Sequence, residues 1–379
     1  MKLMLVINNE FSAFHLRGAV RHFSEKGWDV LILSTPGPLV DKLAEEEGGR
    51  VVPIQLAREI NPFADLQSLF QLLRILKREK PDVINVGSPK TGFLFALAKI
   101  LRPKLPVIFT LRGIRSDTLT GLKKRVVKFT ERLSCTMADE VIVISPSLRE
   151  HAVSVGILKQ SKAHVLGSGS SNGVDTHSFK LDEHNQKQGD ELRAKFGIHQ
   201  NDFVLSTVGR VTKDKGIEEV YRAVTTIDDP RLHWLVAGPA EESDPIDADI
   251  LSAMKINPRI HFLGQMDPIQ PVFAASDLHV LYSYREGFGN VVLQASAMGK
   301  PVVVADIPGL RDTTADNLSG RVIEGRNPQA LSAAIRSYME SPELCERHGT
   351  SGLKRVKEQF AQEVIWKGQE ELYHKVSGK

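Results

Sequence analysis

Short apolar runs of strand type, rich in Val, Ile and Leu, alternate along the chain with stretches in which apolar residues return every third or fourth position. The runs lie at 2–7, 30–34, 51–54, 82–86, 107–111 and 141–145, then at 203–208, 233–237, 260–263, 278–283, 302–305 and 320–323. Runs apolar on both faces suit strands covered on two sides, and strands alternating with helices build a parallel sheet. Helical patterns fall between them at 66–77, 92–101 and 122–137. Another carries Leu16, Val20 and Phe23 after a polar loop at 8–14, and three more close the chain between Pro328 and Lys375. Ser145-Pro146 reads as the N-cap and first residue of a further helix. The pattern predicts two doubly wound α/β units in tandem.

Gly167-Ser168-Gly169-Ser170-Ser171-Asn172-Gly173 separates the two sets of strands and reads as a flexible linker, and the polar stretch 182–190 reads as a surface loop. Ligands of open α/β sheets bind at the carboxyl ends of the strands. Two units so joined are expected to face each other across a cleft.

Composition narrows the class. The 379 residues suffice for two domains, and 41% hydrophobic with 25% charged residues describes an ordinary globular chain. The first apolar run is too short for a signal peptide or a membrane span, so a cytoplasmic protein with at most peripheral membrane contact is expected. Cys135 and Cys345, the two cysteines, stand far apart without metal-ligand spacing and read as reduced core residues. Net charge is +3, but residues 1–165 carry 25 Lys+Arg against 16 Asp+Glu, and the remainder carries 24 against 30. A basic half and an acidic half point to different partners.

The chemistry concentrates after the 278–283 run. Tyr284-Arg285-Glu286-Gly287-Phe288-Gly289-Asn290 forms a Gly-rich loop that opens an apolar helix, stopped at Gly299-Lys300-Pro301. Such a helix start favours a phosphate, glycines let backbone approach a ligand, and Glu286 is placed to accept from hydroxyls. A plain turn before a core helix is the alternative reading. Gly209-Arg210-Val211-Thr212-Lys213-Asp214-Lys215-Gly216 follows the first strand of the second unit, where Arg210 and Lys215 suit a diphosphate. The alternative there is a solvated basic loop.

Together these segments resemble the family-four retaining glycosyltransferases of GT-B architecture. The motif order is FTLRG (109–113), ERLSC (131–135), VISPSLRE (143–150), GSSNGVD (169–175), GRVTKDKG (209–216), VAGP (236–239), IHFLGQ (260–265) and YREGFGNVVLQASAMGKPVV (284–303). It covers nearly the whole chain, and it is most similar to bacterial enzymes of capsule, exopolysaccharide and lipid-linked oligosaccharide assembly. The resemblance implies an acceptor-binding Rossmann-like domain at 1–166, a nucleotide-sugar-binding one at 167–355, and a closing helix at 356–379 that packs back on the first. It also implies transfer of an N-acetylhexosamine-type sugar from a UDP-sugar to a polyprenyl-diphosphate-linked saccharide, at the inner face of the membrane, with no cofactor and no metal. Alternatives are a UDP-sugar 2-epimerase, whose acid, base and His set cannot be assembled here, and a non-catalytic nucleotide-sugar-binding protein.

By the same resemblance Arg210 and Lys215 hold the donor diphosphate and Glu286 the sugar hydroxyls. The backbone of Gly287, Phe288, Gly289, Asn290 and Val291 lies against sugar and phosphate, with Gly209 beside it, and the base sits near Gly264, Gln265 and Met266. The family's second acidic position, which binds the ribose diol, falls on Gln294. Relatives carry His after the 107–111 strand where this chain has Arg112, a candidate contact to a phosphate of acceptor or donor. Asn8, Asn9, Ser12 and Phe14 are expected on the acceptor side, with Arg115. Between Arg112 and Arg132 seven basic residues face two acidic ones, with Leu119, Leu122, Val126, Val127 and Phe129 interleaved, a pattern that fits anionic lipid. Asp247-Ala248-Asp249 imitates a metal signature, but acids also suit a helix start. Aromatic interleaving and motifs for nucleic acid are absent.

Overall fold

The computed structural model describes residues 1–56 and 62–379, which form two compact units: Met1–Gly173 with Gln362–Lys379, and Val174–Ala361. The first unit holds β1 (Lys2–Val6), β2 (Asp29–Ser34), β3 (Arg50–Pro53), β4 (Val83–Val86), β5 (Val107–Leu111), β6 (Glu140–Val143) and β7 (Ala163–His164), in the spatial order β3-β2-β1-β4-β5-β6-β7. The second holds β8 (Phe203–Val208), β9 (Leu232–Ala237), β10 (Ile260–Gly264), β11 (Leu278–Leu281), β12 (Val302–Ala305) and β13 (Gly320–Ile323), ordered β10-β9-β8-β11-β12-β13. All pairings are parallel, as when Leu3 of β1 lies opposite Val83 of β4 and Leu278 of β11 opposite Leu205 of β8. This is the GT-B arrangement of two doubly wound sheets.

Each sheet reverses its strand order once, between β1 and β4 and between β8 and β11. There the connections leave in opposite directions and open a crevice at the carboxyl ends. The sheets are dry: Val204, Leu205, Leu232, Leu235, Val280 and Val302 are wholly buried in the second unit, and Leu3, Val83 and Ile108 in the first. The buried Trp234 indole N–H is paired, donating to Thr207 Oγ1 at 3.0 Å.

Three expectations change. The Gly/Ser run is no flexible linker; it is built into the first unit. Ser170, Ser171 and Asn172 are buried, Asn172 Nδ2 donates to the Arg17 carbonyl at 2.7 Å, and Trp366 Nε1 donates to Asn172 Oδ1 at 2.8 Å. Trp366 lies on the helix Gln362–Ser377, which adds Ile365, Leu372 and Tyr373 to the core around Phe23. The units accordingly meet in sequence at 173/174 and 361/362. The stretch 182–190 is helix, not loop: Glu183–Lys195 is capped by Asp182, which accepts from Asn185 N at 3.0 Å. Its polarity hid a thin contact stripe of Asn185, Gly189 and Leu192. β7 escapes the sequence reading because two half-buried residues carry no periodicity.

Candidate active site

The carboxyl ends of β8 and β11 bring Arg210, Lys215 and Glu286 together as neighbouring ion pairs on two loops tied through the backbone. β8 delivers Gly209-Arg210, and a single 3-10 turn, Lys213–Lys215, carries the loop back across the end of β11. Tyr284 N donates to the Asp214 carbonyl at 2.8 Å, so the two loops are tied through the backbone. Lys215 Nζ donates to Glu286 Oε1, which also accepts from Ser283 Oγ at 3.0 Å. Gly216 makes this approach possible: its φ is +66°, and a Cβ there would lie 2.1 Å from the Tyr282 carbonyl oxygen.

Acids outside the expected set complete the arrangement. Arg210 Nη1 donates to Glu241 Oε2 at 2.7 Å, and Arg210 Nη2 and Arg285 Nη2 each reach Asp214 Oδ2 at 3.4 Å. The Glu241 hydrogen bond holds the Arg210 guanidinium above its ordinary pKa. Burial alone would raise the Asp214 carboxyl; the Thr212 hydroxyl and the Lys215, Arg210 and Arg285 cations outweigh it and hold the group low. Lys215 and Glu286 are each 15% exposed, buried enough for a strong pairing and still reachable. The result is three cations, Arg210, Lys215 and Arg285, interleaved with the Asp214, Glu241 and Glu286 carboxylates at the ends of two strands, able to take an anion and hydroxyls side by side.

The helix that follows runs Asn290–Ala297, with Gly289 as its N-cap residue. Phe288 turns its ring to Phe360, 6.0 Å between centroids, so its side chain packs and its backbone stays at the loop. Val291 is half-buried on the first turn. Gln294, one turn in, keeps its Oε1 buried without a hydrogen-bond partner among the described residues. Gly264 ends β10 at φ +66° and its carbonyl accepts from Gly238 N at 2.7 Å; Gln265 beside it is exposed.

In the first unit, Asn8, Asn9 and Ser12 satisfy one another. Asn9 Oδ1 accepts from Ser12 N at 3.2 Å, and Ser12 Oγ lies 3.1 Å from Asn8 Oδ1. Phe14 is 58% exposed. Arg115 points outward, while its backbone N donates to Glu131 Oε1 at 2.7 Å. Arg112 leaves β5 and donates from Nη1 to the Gly87 carbonyl at the end of β4. On the helix Gly121–Met137, Leu122, Val126 and Phe129 are exposed along one stripe beside Lys123, Lys124, Arg125 and Arg132, whereas Val127 is buried. Asp247 is an N-cap: its Oδ1 accepts from Asp249 N and Ile250 N at 2.9 and 3.2 Å.

Known proteins share this frame. Residues 188–355 match the family described as glycosyl transferases group 1, and residues 12–169 a glycosyl transferase 4-like domain. Over 363 residues, 95% of this chain and 93% of the other, the sequence is 32% identical to the capsular polysaccharide biosynthesis glycosyltransferase CapM of Staphylococcus aureus. The chain belongs to the group 1, family-four retaining glycosyltransferases. A further relative of this glycosyltransferase is the N,N'-diacetylbacillosaminyl-diphospho-undecaprenol alpha-1,3-N-acetylgalactosaminyltransferase of Campylobacter jejuni, 26% identical over 88% of each chain. Anabaena HepE, solved in complex with UDP-glucose, shares the fold at a TM-score of 0.80 and 18% identity, with complete coverage of both chains.

Within this glycosyltransferase, Asp214, Glu241 and Arg285 were not singled out from sequence. Asp214 stands inside the 209–216 motif and Arg285 beside Glu286, so both were in view; Glu241 follows β9 and joins the loop only through folding. Among the described residues no group of three or more His, Cys, Asp or Glu is arranged to hold a metal ion, and no helix is long and apolar enough to cross a membrane.

Proposed function

We propose that this glycosyltransferase moves a sugar of N-acetylhexosamine type from a UDP-sugar to a polyprenyl-diphosphate-linked saccharide during capsule, exopolysaccharide or related glycan assembly. The observation that carries the reading is the pair of neighbouring ion pairs, Arg210–Asp214 and Lys215–Glu286, at the β8/β11 switch point. Arg210 and Lys215 take the donor diphosphate and stabilise the charge that grows as it leaves, where fixed cations are most effective. Glu286 orients the sugar through its hydroxyls, the 287–291 backbone lies against sugar and phosphate, and the base stacks near Gly264 and Gln265. The bond between the anomeric carbon and the phosphate oxygen breaks as the acceptor oxygen bonds on the same face. The acceptor proton passes to the departing phosphate. Positioning and electrostatics then supply most of the rate.

The acceptor reading draws on the relatives, one named for capsule biosynthesis and another for a diphospho-undecaprenol substrate. The exposed Leu122, Val126 and Phe129 among lysines and arginines support peripheral contact of the first unit with anionic lipid at the inner membrane face. In this reading Asn8, Asn9, Ser12, Phe14 and Arg115 lie on the acceptor side.

The test is incubation with a panel of UDP-sugars, with and without a prenyl-diphosphate-linked N-acetylhexosamine. Transfer is expected only with acceptor present, and Glu286→Ala and Lys215→Ala should each lower it by at least about a hundredfold. Epimer formed from UDP-GlcNAc alone, or wild-type rates from either variant, would overturn the proposal.

A further inference from the structure

A second polar centre lies at the other switch point, wholly within the first unit. The side chains of His15, Asn85, Thr110, Arg112 and Tyr373 line a cavity of about 20 Å³ at the carboxyl ends of β1, β4 and β5, with room for about one water. Its neutral members are matched to one another: Thr110 Oγ1 donates to Asn85 Oδ1 at 2.7 Å, and Asn85 Nδ2 donates to the Tyr373 hydroxyl at 2.6 Å. Its one cation is not matched. The lining includes no carboxylate. Arg112 forms no ion pair, its single hydrogen bond goes to the neutral Gly87 carbonyl, and its Nε is buried without a partner, all among the described residues.

A guanidinium out of water without a counter-charge is costly, and proteins retain one where something else supplies the anion. Burial pulls the Arg112 group down to about 10, and burial together with Arg112 pushes His15 down to about 2, so the imidazole beside it is neutral. The backbone is also shaped for the arginine. A Cβ on Gly87 would stand 2.1 Å from Arg112 Nη1, so only glycine lets the side chain lie across the end of β4.

We propose that Arg112, flanked by His15, is a phosphoryl-binding subsite of the first unit, and that the group it holds is the diphosphate of the lipid-linked acceptor. The anion is too large for the cavity and lies at its mouth, where the half-buried Arg112 side chain is still reached. The choice of the acceptor rests on the transferase reading above, which places the donor diphosphate on Arg210 and Lys215. The competing source of the same chemistry is the donor itself.

The experiment measures binding, not transfer, on the full chain. Geranyl diphosphate and UDP are titrated separately while the histidine ring signals are followed by NMR, with His15 assigned from His15→Asn. Geranyl diphosphate is expected to move the His15 signal, and Arg112→Gln to weaken its binding roughly ten- to a hundredfold, with Arg112→Lys recovering part of the loss. UDP is expected to leave His15 unmoved and to bind Arg112→Gln as it binds the wild type. Movement of His15 by UDP, with UDP affinity lost in Arg112→Gln, would overturn the assignment to the acceptor. Unchanged geranyl diphosphate binding in Arg112→Gln, with only a lowered melting temperature, would reduce Arg112 to a brace for the Gly87 carbonyl and overturn the subsite. Absence of sugar transfer with every UDP-sugar would defeat the transferase reading and leave these binding results standing.

Discussion

At the scale of single residues, Gln294 poses the sharpest question. The family pattern has a carboxylate there, and the amide leaves a buried oxygen with no partner among the described residues, on the first turns of the Asn290–Ala297 helix. An amide both donates and accepts, so it suits a diol, but it lacks the charge that strengthens such a bond. Gln294→Glu is expected to lower the dissociation constant for UDP about three- to tenfold while turnover changes much less. Calorimetric titration of UDP beside initial rates checks this, and no change in either would remove the side chain from the ribose. The Arg210, Lys215 and Glu286 positions were legible from sequence because each lies in a short motif. Asp214, Glu241 and the unpaired state of Arg112 were not, since pairing across loops depends on which strand ends become neighbours.

At the scale of elements, long periodic segments were easy to read and sparse ones were not. The 203–208, 302–305 and 320–323 runs match β8, β12 and β13 residue for residue, because they are short, apolar and bounded by turns. The helix Glu183–Lys195 escaped because it buries few apolar side chains and instead uses Gly189 to let another backbone approach. A Cβ at Gly189 would stand 2.7 Å from the Ala274 carbonyl carbon on the helix Gln270–Ala275. Gly189→Val should therefore destabilise the second unit by about 1–3 kcal/mol through overpacking. Chemical denaturation checks it; stability equal to wild type would mean the two helices separate at no cost. The Gly/Ser run misled in the opposite sense. Its composition suits a linker, yet its polar groups find partners on the closing helix and on the 17–18 turn.

At the scale of the whole molecule, buried histidines set an acid limit on stability. Burial lowers His279 to about 3, and partial burial with the neighbouring His233 lowers the half-buried His261 to about 4. Both groups take up a proton more readily in the unfolded chain, whose imidazoles titrate near 6.5. The unfolded state thus binds more protons between the two values, and stability is lost as pH falls below roughly 6.5 toward 3. His279 lies wholly buried in β11, with its Nδ1 3.2 Å from Ser206 Oγ. Replacing it by leucine should make unfolding free energy less sensitive to pH in this window, by up to about 1.4 kcal/mol per pH unit. Urea titrations at neutral and mildly acid pH measure the slope; parallel slopes in variant and wild type would assign the acid sensitivity elsewhere.

By itself the sequence determined the fold class, the two tandem units, the transferase family and the Gly-rich, charged loops at 209–216 and 284–290. Each is encoded locally, in the period of apolar residues or in a loop whose glycines and charges are contiguous. Tertiary structure alone decided that Glu241 and Asp214 share Arg210, that the Gly/Ser run belongs to the first unit, and that Arg112 stands among neutral groups. These are relations between the ends of strands distant in sequence. A charge becomes an unmet one only when the surrounding chain has excluded water and brought no carboxylate to it.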